Sequence, residues 1–486
     1  MSGRSVAASF RLTMLLQDRR RETGPVGAVA RSVPAAPSAS QRRILPEMDV
    51  TTSPELSELH DLHVGIFDLD GVFRHKLVSA KKAAKLIDRG YSFCDVVHAW
   101  DSAEVQWEDD RTYIDRPATI FPETLRRWPF GSGAGVAIAD FTGAYGENSP
   151  RNHLLRQLEK ADAMGFGVTA AFEYEFFLLD ETADTLRRKD YRDLEFFAKA
   201  NRTYSLQSAA AHADLFDGLR ACMQTLDIGL DSLHTELGPG CFEAPLAAAT
   251  GVKAADDAAL FRNFARAYFA RNDLTTVFMS KLDPELSGQS GHFHISLQKD
   301  GQPVFHDPSA SDGLSQIARQ FIGGLLALMP ELLVMTAHTV NAYKRLVPGA
   351  WAPTWSSWGV QNRTTAVRII NDSPEATRVE FRVPSADANP HATMALCLAA
   401  GLWGIETGAE PGAPLDRSAY DVLPDRDTRF PRDLVEATDR LEASETARAL
   451  FGDGFVDHFV RSRRYEVQDY LRQVTDWEIR RYLELF

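Results

Sequence analysis

The sequence predicts an α+β protein, with a small N-terminal domain ahead of a larger one. Strict two-residue alternation recurs in FEYEFF (172–177), HFHISL (292–297) and RVEFRV (378–383). Each such run gives a strand one apolar and one polar face. The C-terminal part, from Phe430 onward, reads instead as helices, broken at Pro431 and Gly452–Gly454. With 486 residues, 44% of them hydrophobic, the chain can bury a large core and fill two or three domains.

The elements follow in order. Residues 1–47 hold eight Arg, no Lys and three acidic residues among many Ala, Ser and Pro. An Arg-rich, acid-poor leader can be a transit peptide. A disordered tail, or a true start at Met48, accounts for the same composition. From His63 to Ser79 the chain alternates like strands around an Asp70-Gly71 turn. A short helix is expected over 80–89, and a strand over AGVAIADF, ending at Phe141. Residues 60–145 thus read as a small α+β domain that includes Asp95 and Asp101. Asn148-Ser-Pro marks its end, an amphipathic helix follows over 151–164, and the second domain is assigned to 150–486.

Charge narrows the partners. The net charge of −14 and a pI near 5.5 exclude nucleic acid and anionic membranes as main partners. No apolar run is expected to span a membrane. Cys94, Cys222, Cys241 and Cys397 form no CxxC pair, which fits a reducing, cytoplasmic setting without a disulfide framework.

One local region opposes the acidic balance. Between Asn341 and Arg382 lie Arg345, Arg363, Arg368, Arg378 and Arg382, interleaved with Trp, Pro and Gly. Arg is a forked donor suited to carboxylate and phosphate oxygens. Solvated loop arginines would give the same composition. Acidic groups recur as well. Glu173 and Glu175 are two apart on a strand, so their side chains lie roughly 6.5–7 Å apart on one face. A solvent-facing strand would explain that pair alone. Glu236 and Glu243 flank a Gly-Pro-Gly turn, His292, His294 and Ser296 share a strand face, and Glu380 lies in RVEFRV. Oxygen-rich ligands with one imidazole suit Mg²⁺ or Mn²⁺. There is no HExxH and no Walker A sequence, so a bound nucleotide would be held by metals and arginines.

FEYEFFLLD, ELGPGCFEAP, SGQSGHFHISL, NAYKRLVPG, QNRTTAVRI and RVEFRVPSADANPHATMALCLAAGLWGI occur in the order found in the glutamine synthetase superfamily, which the chain resembles over about 60–486. The resemblance implies a β-grasp-like N-terminal domain and a catalytic domain on a curved antiparallel sheet with flanking helices. It implies a homo-oligomer, commonly a dodecamer, with active sites shared between subunits. It also implies ATP and two divalent metal sites. Glu175, Glu236 and Glu243 match the ligands of the metal near the amino acid. Glu173, His292 and Glu380 match those of the metal on the ATP phosphates. His294 and Ser296 match positions near the nucleotide, and Gly288, Arg345 and Arg382 match glutamate contacts. Arg363 and Arg368 match arginines that neutralise the transferring phosphoryl group, with Arg378 assisting. Asp95, with Asp101 second, is the choice for an Asp lent to the neighbouring subunit's site.

The departures bear on substrate. Where ammonia-using members carry a Glu after KRLVPG, this chain has Trp351. An indole is no base, though its face attracts cations and its bulk lines apolar pockets; plain packing is the other role open to it. Cys241 stands where Gln is usual and Ser287 where Asn is usual. Tyr420 lies where some members are adenylylated, but its surroundings differ. The C-terminal part is similar to the branch containing γ-glutamylpolyamine synthetases and other γ-glutamyl-amide ligases. The resemblance therefore implies an ATP-dependent ligase joining glutamate to an organic amine through γ-glutamyl phosphate. Glutamine synthesis from ammonia, or an inactive structural or sensing relative, are the other roles it leaves.

Overall fold

The computed structural model describes residues 54–87, 89–107 and 112–486. The leader assigned to 1–47 and the start at Met48 lie outside the described residues. The alternating run from His63 forms a hairpin of β1 (Asp61–Phe67) and β2 (Phe73–Ser79). Asp68 closes its turn, its carboxylate accepting from the Asp70 and Val72 amides at 3.1 and 2.8 Å. α1 (Ala80–Leu86), β3 (Tyr91–Cys94), β4 (Asp115–Ile120), β5 (Arg126–Arg127) and β6 (Ala134–Phe141) follow. The strand order is β2-β1-β6-β4-β3, with β1 parallel to β6 in the centre. A hairpin, a helix and a later strand returning beside the first make this a β-grasp-like arrangement. Leu62, Val64, Ile66, Phe93 and Ile120 form its own small core, while Phe67, Leu69, Val136 and Ile138 join the larger core.

α2 (Pro150–Ala163) opens the rest of the fold. Ser149 caps it by accepting from the Asn152 amide, and Pro150 occupies the first turn, where no amide hydrogen is needed. Then come β7 (Gly167–Leu179), α3 (Ala183–Arg188), α4 (Leu206–Ala211), α5 (Ala213–Thr225), β8 (His234–Thr235), β9 (Cys241–Pro245), β10 (Ala249–Thr250), α6 (Lys253–Ala270), β11 (Thr275–Val277), β12 (Gly291–Lys299) and β13 (Gln302–Pro303). α7 (Gln316–Leu332), β14 (Trp358–Val360), β15 (Val367–Ile370), β16 (Arg378–Phe381) and α8 (Pro390–Thr407) complete the core. The chain ends in α9 (Leu434–Ala443), α10 (Glu445–Phe451), α11 (Asp453–Leu471) and α12 (Asp476–Tyr482). The second sheet runs β14-β15-β16-β12-β7-β9-β8 and is antiparallel except at its edge, where β14 and β15 are parallel.

Helices cover the apolar face of this sheet. α8 is apolar on all sides and is buried from Pro390 to Leu402, as a central helix must be. It crosses α7 at a contact made by glycines. A Cβ on Gly324 would lie 2.1 Å from the Ala400 carbonyl oxygen, and one on Gly404 2.1 Å from that of Gln320. Contrary to the expectation of no apolar run of membrane length, Gln316–Met335 is apolar and long enough to cross a bilayer, but its most apolar window is 67% buried inside the fold. It is a core helix.

The glycine crossing yields a test. Gly404→Ala gains about 1 kcal/mol of helix propensity but forces a methyl onto a backbone oxygen that cannot turn aside, at a cost of about 1–3 kcal/mol. The steric cost wins, so denaturant unfolding is expected to show a less stable protein with an unchanged m-value.

Candidate active site

The site is built on four adjacent strands, β16, β12, β7 and β9. Glu173 on β7 faces His292 on β12, His294 faces Glu380 on β16, and Glu175 faces Glu243 on β9. Alternation turns these groups to one side. On the other, Phe172, Tyr174, Phe176, Phe293, Ile295, Val379 and Phe381 are at most 2% exposed. Each large apolar side chain contributes roughly 1.5–3 kcal/mol on burial. A one-residue slip would exchange the faces and drive carboxylates into the core, so the apolar face fixes the register of the polar one.

The polar face lines a cavity of about 630 Å³. Two groups of side chains there could hold a cation, Glu173/His292/Glu380 and His234/Glu236/Glu243, with ligand atoms inside each within 4.8 Å of one another. The first is the trio expected. In the second, His234 joins Glu236 and Glu243 and Glu175 stands outside, because its carboxylate accepts from the Ser290 amide at 2.7 Å.

Charge is poorly balanced within the carboxylates alone. Burial, then Glu173 and Glu175, push Glu243 far up, while hydrogen bonds from His292 and His294 hold Glu173 well down against its own burial. Burial lifts Glu175 to about 7, opposed by Arg345. Glu380 is held at about 2 despite burial, by Arg382 and then His292 and His294. Burial and Arg382 drop His292 to about 4, leaving it a neutral imidazole whose Nε2 is buried without a hydrogen-bond partner among the described residues. Crowded carboxylates and an idle imidazole nitrogen are the environment that a divalent cation relieves. Oxygen donors with one imidazole in each set fit Mg²⁺ or Mn²⁺.

Arginines surround these groups. Arg363, Arg368, Arg378 and Arg382 line the cavity. Arg368 donates to Glu380 at 2.8 Å, Arg382 donates to the other oxygen of Glu380, and Arg378 donates to His294 Nδ1 at 3.2 Å. Arg363 is exposed in the β14–β15 loop. Arg345 is not at the wall, contrary to its expected contact with substrate. It is 1% exposed and donates to the carbonyls of Val383 and Arg382 at 2.9 and 3.1 Å and to Ser290 Oγ at 2.8 Å. It underlies Gly288, where a Cβ would meet its Cγ at 2.6 Å. Gly288 itself lines the cavity.

A second cavity, of about 300 Å³, shares Glu173, His294 and Arg378 with the first. Ser296 lines this one and not the first, beside Thr169, Asp231, Leu246 and Ala248. Asp95 and Asp101 line neither cavity of their own chain. Each closes a local loop, Asp95 by accepting from the Ile114 amide at 3.0 Å and Asp101 from those of Ala103 and Val105 at 2.9 and 2.8 Å.

The mouth of the larger cavity is aromatic. Trp351 is 60% exposed at φ +56° and Tyr204 is 70% exposed at φ +55°. The Tyr204 ring meets the His234 ring edge-on, with centroids 5.0 Å apart. Sequence reasoning missed both His234 and Tyr204. His234 stands on a strand of only two residues, β8, just before Glu236, too short to show a period, and Tyr204 lies in irregular chain with no signal. Cys241 lines the wall with its thiol pushed up by burial. The Tyr420 hydroxyl is enclosed, not offered to solvent as a modifiable group would be.

Comparison with known proteins identifies the family. Residues 147–482 match the family model "Glutamine synthetase, catalytic domain". The chain is 36% identical over 431 residues to a type-1 glutamine synthetase 2 of Dictyostelium discoideum, covering 86% of this chain and 82% of that protein. It is 33% identical to a glutamate–isopropylamine ligase of a Pseudomonas species, covering 89% and 96%. A solved structure described as a GmaS/ADP complex superposes with a TM-score of 0.77 at 30% identity, covering 89% of this chain and all (100%) of that one. The chain belongs to the glutamine synthetase family. Its relatives include both glutamine synthetases and glutamate–amine ligases, ATP-dependent enzymes that form a C–N bond.

Cation binding is directly measurable. Millimolar Mg²⁺ or Mn²⁺ is expected to raise the thermal midpoint, since a ligand at tenfold its Kd adds about 1.4 kcal/mol. Glu236→Gln and Glu173→Gln should each blunt that rise, with NaCl as the ionic-strength control.

Proposed function

We propose that the protein is an ATP-dependent ligase joining the γ-carboxyl of glutamate to an organic amine. The observation that carries this is Trp351, an exposed indole at the mouth of a cavity whose floor holds carboxylates, imidazoles and arginines. A neutral aromatic wall there favours a nucleophile with an organic substituent and supplies a face for its ammonium form. Tyr204 and Leu237, both exposed, extend that rim. The Pseudomonas relative, named for isopropylamine, supports the same class.

In this reading the smaller cavity takes the nucleoside of ATP, past His294 and Ser296, and its phosphates reach the larger one at Glu173 and Arg378. Divalent ions held by Glu173, His292 and Glu380 and by Glu236, Glu243 and His234, with Glu175 beside them, would neutralise phosphate and carboxylate charge. Arg363 and Arg368 receive the γ-phosphoryl group, and Arg382 and the Gly288 backbone hold glutamate, with Arg345 supporting both from behind. A γ-carboxylate oxygen attacks the γ-phosphorus and ADP leaves, giving γ-glutamyl phosphate. The amine nitrogen then attacks the acyl carbon, phosphate leaves, and the amine gives up a proton. The acceptor we assign is Asp95 from a neighbouring copy, with Asp101 second. This requires a homo-oligomer with shared sites, for which we propose a dodecamer. Closing the mouth keeps water from the acyl phosphate.

Glutamine synthesis is the second reading, favoured by the identity to the Dictyostelium relative. Phosphate release with ATP, glutamate and Mg²⁺ separates the two. Turnover with a primary organic amine and little with ammonia is expected. Trp351→Ala should raise the KM for that amine on the order of tenfold, equal to about 1.4 kcal/mol. Strong turnover with ammonia alone would make the protein a glutamine synthetase.

A further inference from the structure

The two functional walls of the cavity stand on separate loops, and a third segment is hydrogen-bonded to both. Arg363 lies between Asn362 and Thr364, and both neighbours are tied to the segment Leu415–Asp421. The Asn362 amide donates to the carbonyls of Leu415 and Arg417 at 3.2 and 2.9 Å. Thr364 Oγ1 accepts from the Ala419 amide at 2.8 Å. The same segment holds the loop that carries Trp351, because Trp355 Nε1 donates to the Ala419 carbonyl at 3.2 Å. It also bonds to the strand between the loops, the Leu415 amide donating to the Trp358 carbonyl at 2.9 Å. Ala419 thus serves one loop through its amide and the other through its carbonyl.

Tyr420, the next residue, lies next to the Trp351 loop. Its hydroxyl is enclosed. It lies beside the Trp351 backbone amide and faces the guanidinium groups of Arg382 and Arg345. Trp351 needs such support. A β-carbon at φ +56° is in the left-handed region, which costs about 1–2 kcal/mol for a residue other than glycine.

We propose that the Leu415–Asp421 strap is the positioning element that sets the two walls of the site against each other, acting on Arg363 through Thr364 and on Trp351 through Tyr420. The amine is then selected partly by a segment that lines neither cavity. The assignment of amine to the Trp351 side and phosphoryl group to the Arg363 side rests on the ligase reading; the mechanical linkage does not.

Two variants of the full-length protein test it, each removing one oxygen. Tyr420→Phe is expected to raise the KM for the organic amine about fivefold while the KM for glutamate stays within about twofold. Thr364→Val is expected to lower kcat about tenfold with the amine KM within about twofold. In a Trp351→Ala background, Tyr420→Phe should add less than about twofold, since its effect passes through the missing ring. A shift in glutamate KM with Tyr420→Phe would mean that it acts through Arg382 and overturns the proposal. Parallel losses in every constant with a lowered thermal midpoint, or an undiminished effect in the Trp351→Ala background, also overturn it. Fluorescence keeps this separate from the ligase reading. The difference spectrum between wild type and Trp351→Phe isolates that indole, and its emission maximum should move when Tyr420→Phe is added to both. A fixed maximum refutes the linkage whichever amine is used. Turnover with ammonia only would remove the ligase reading and leave this spectral result to decide.

Discussion

The register of β7, β12 and β16 is the constraint on which the rest depends. Every polar group of the central site is placed by alternation against an apolar partner on the same strand. Phe172, Tyr174, Phe176 and Phe293 are held in the core by α6 and by one another, with Phe172 and Phe293 centroids 4.7 Å apart and Tyr174 stacked over Phe261 at 5.9 Å. Hydrophobic burial is indifferent to the chemistry on the other face. It supplies the free energy that keeps mutually repelling carboxylates together, which those groups could not supply themselves.

Those carboxylates are costly to keep. Glu380 is 1% exposed and takes guanidinium groups on both oxygens. A buried ion pair of this kind is often matched or bettered in stability by apolar residues of the same volume. Its persistence beside Glu173, with a neutral His292 between them, is understandable as preorganisation for a charged ligand. Donors and acceptors already fixed in place need not reorganise when charge shifts. Arg345 has the same logic one layer deeper: by occupying the carbonyls of Arg382 and Val383 it fixes the strand end that aims Arg382.

Much of this was legible in the sequence, and the boundary is physical. Period-two alternation is a local property, so the strands around Glu173, His292 and Glu380 and the face each presents could be read directly. The hairpin at Asp70-Gly71 and the helix start at Ser149-Pro150 have local chemistry too. What could not be read depends on distant partners. His234 lies on a two-residue strand, too short to show a period, and becomes a site residue only because β9 brings Glu243 to it. Arg345 looks in sequence like any other arginine of its cluster; it is behind the wall because Ser290 and Val383 close over it. The parallel edge pair β14–β15 and the role of Ala419 follow from chain returning across tens of residues, which no local pattern records. Asp95 has carboxylate chemistry suited to a proton acceptor, but its own chain uses it to hold the Ile114 loop.

The two halves of the site therefore differ in how they can change. The half we assign to the phosphoryl group is embedded in a sheet whose register tolerates no slip, so in that reading its residues can vary only by losing the function. The half we assign to the amine consists of Tyr204, Leu237 and Trp351 on irregular chain, two of them at positive φ. Loops on a rigid scaffold can be exchanged without disturbing it. That asymmetry fits a family whose relatives are named for glutamine and for isopropylamine alike. In that reading specificity sits in the loops and whatever fixes them, since the carboxylate face presents the same charges to any nucleophile that arrives.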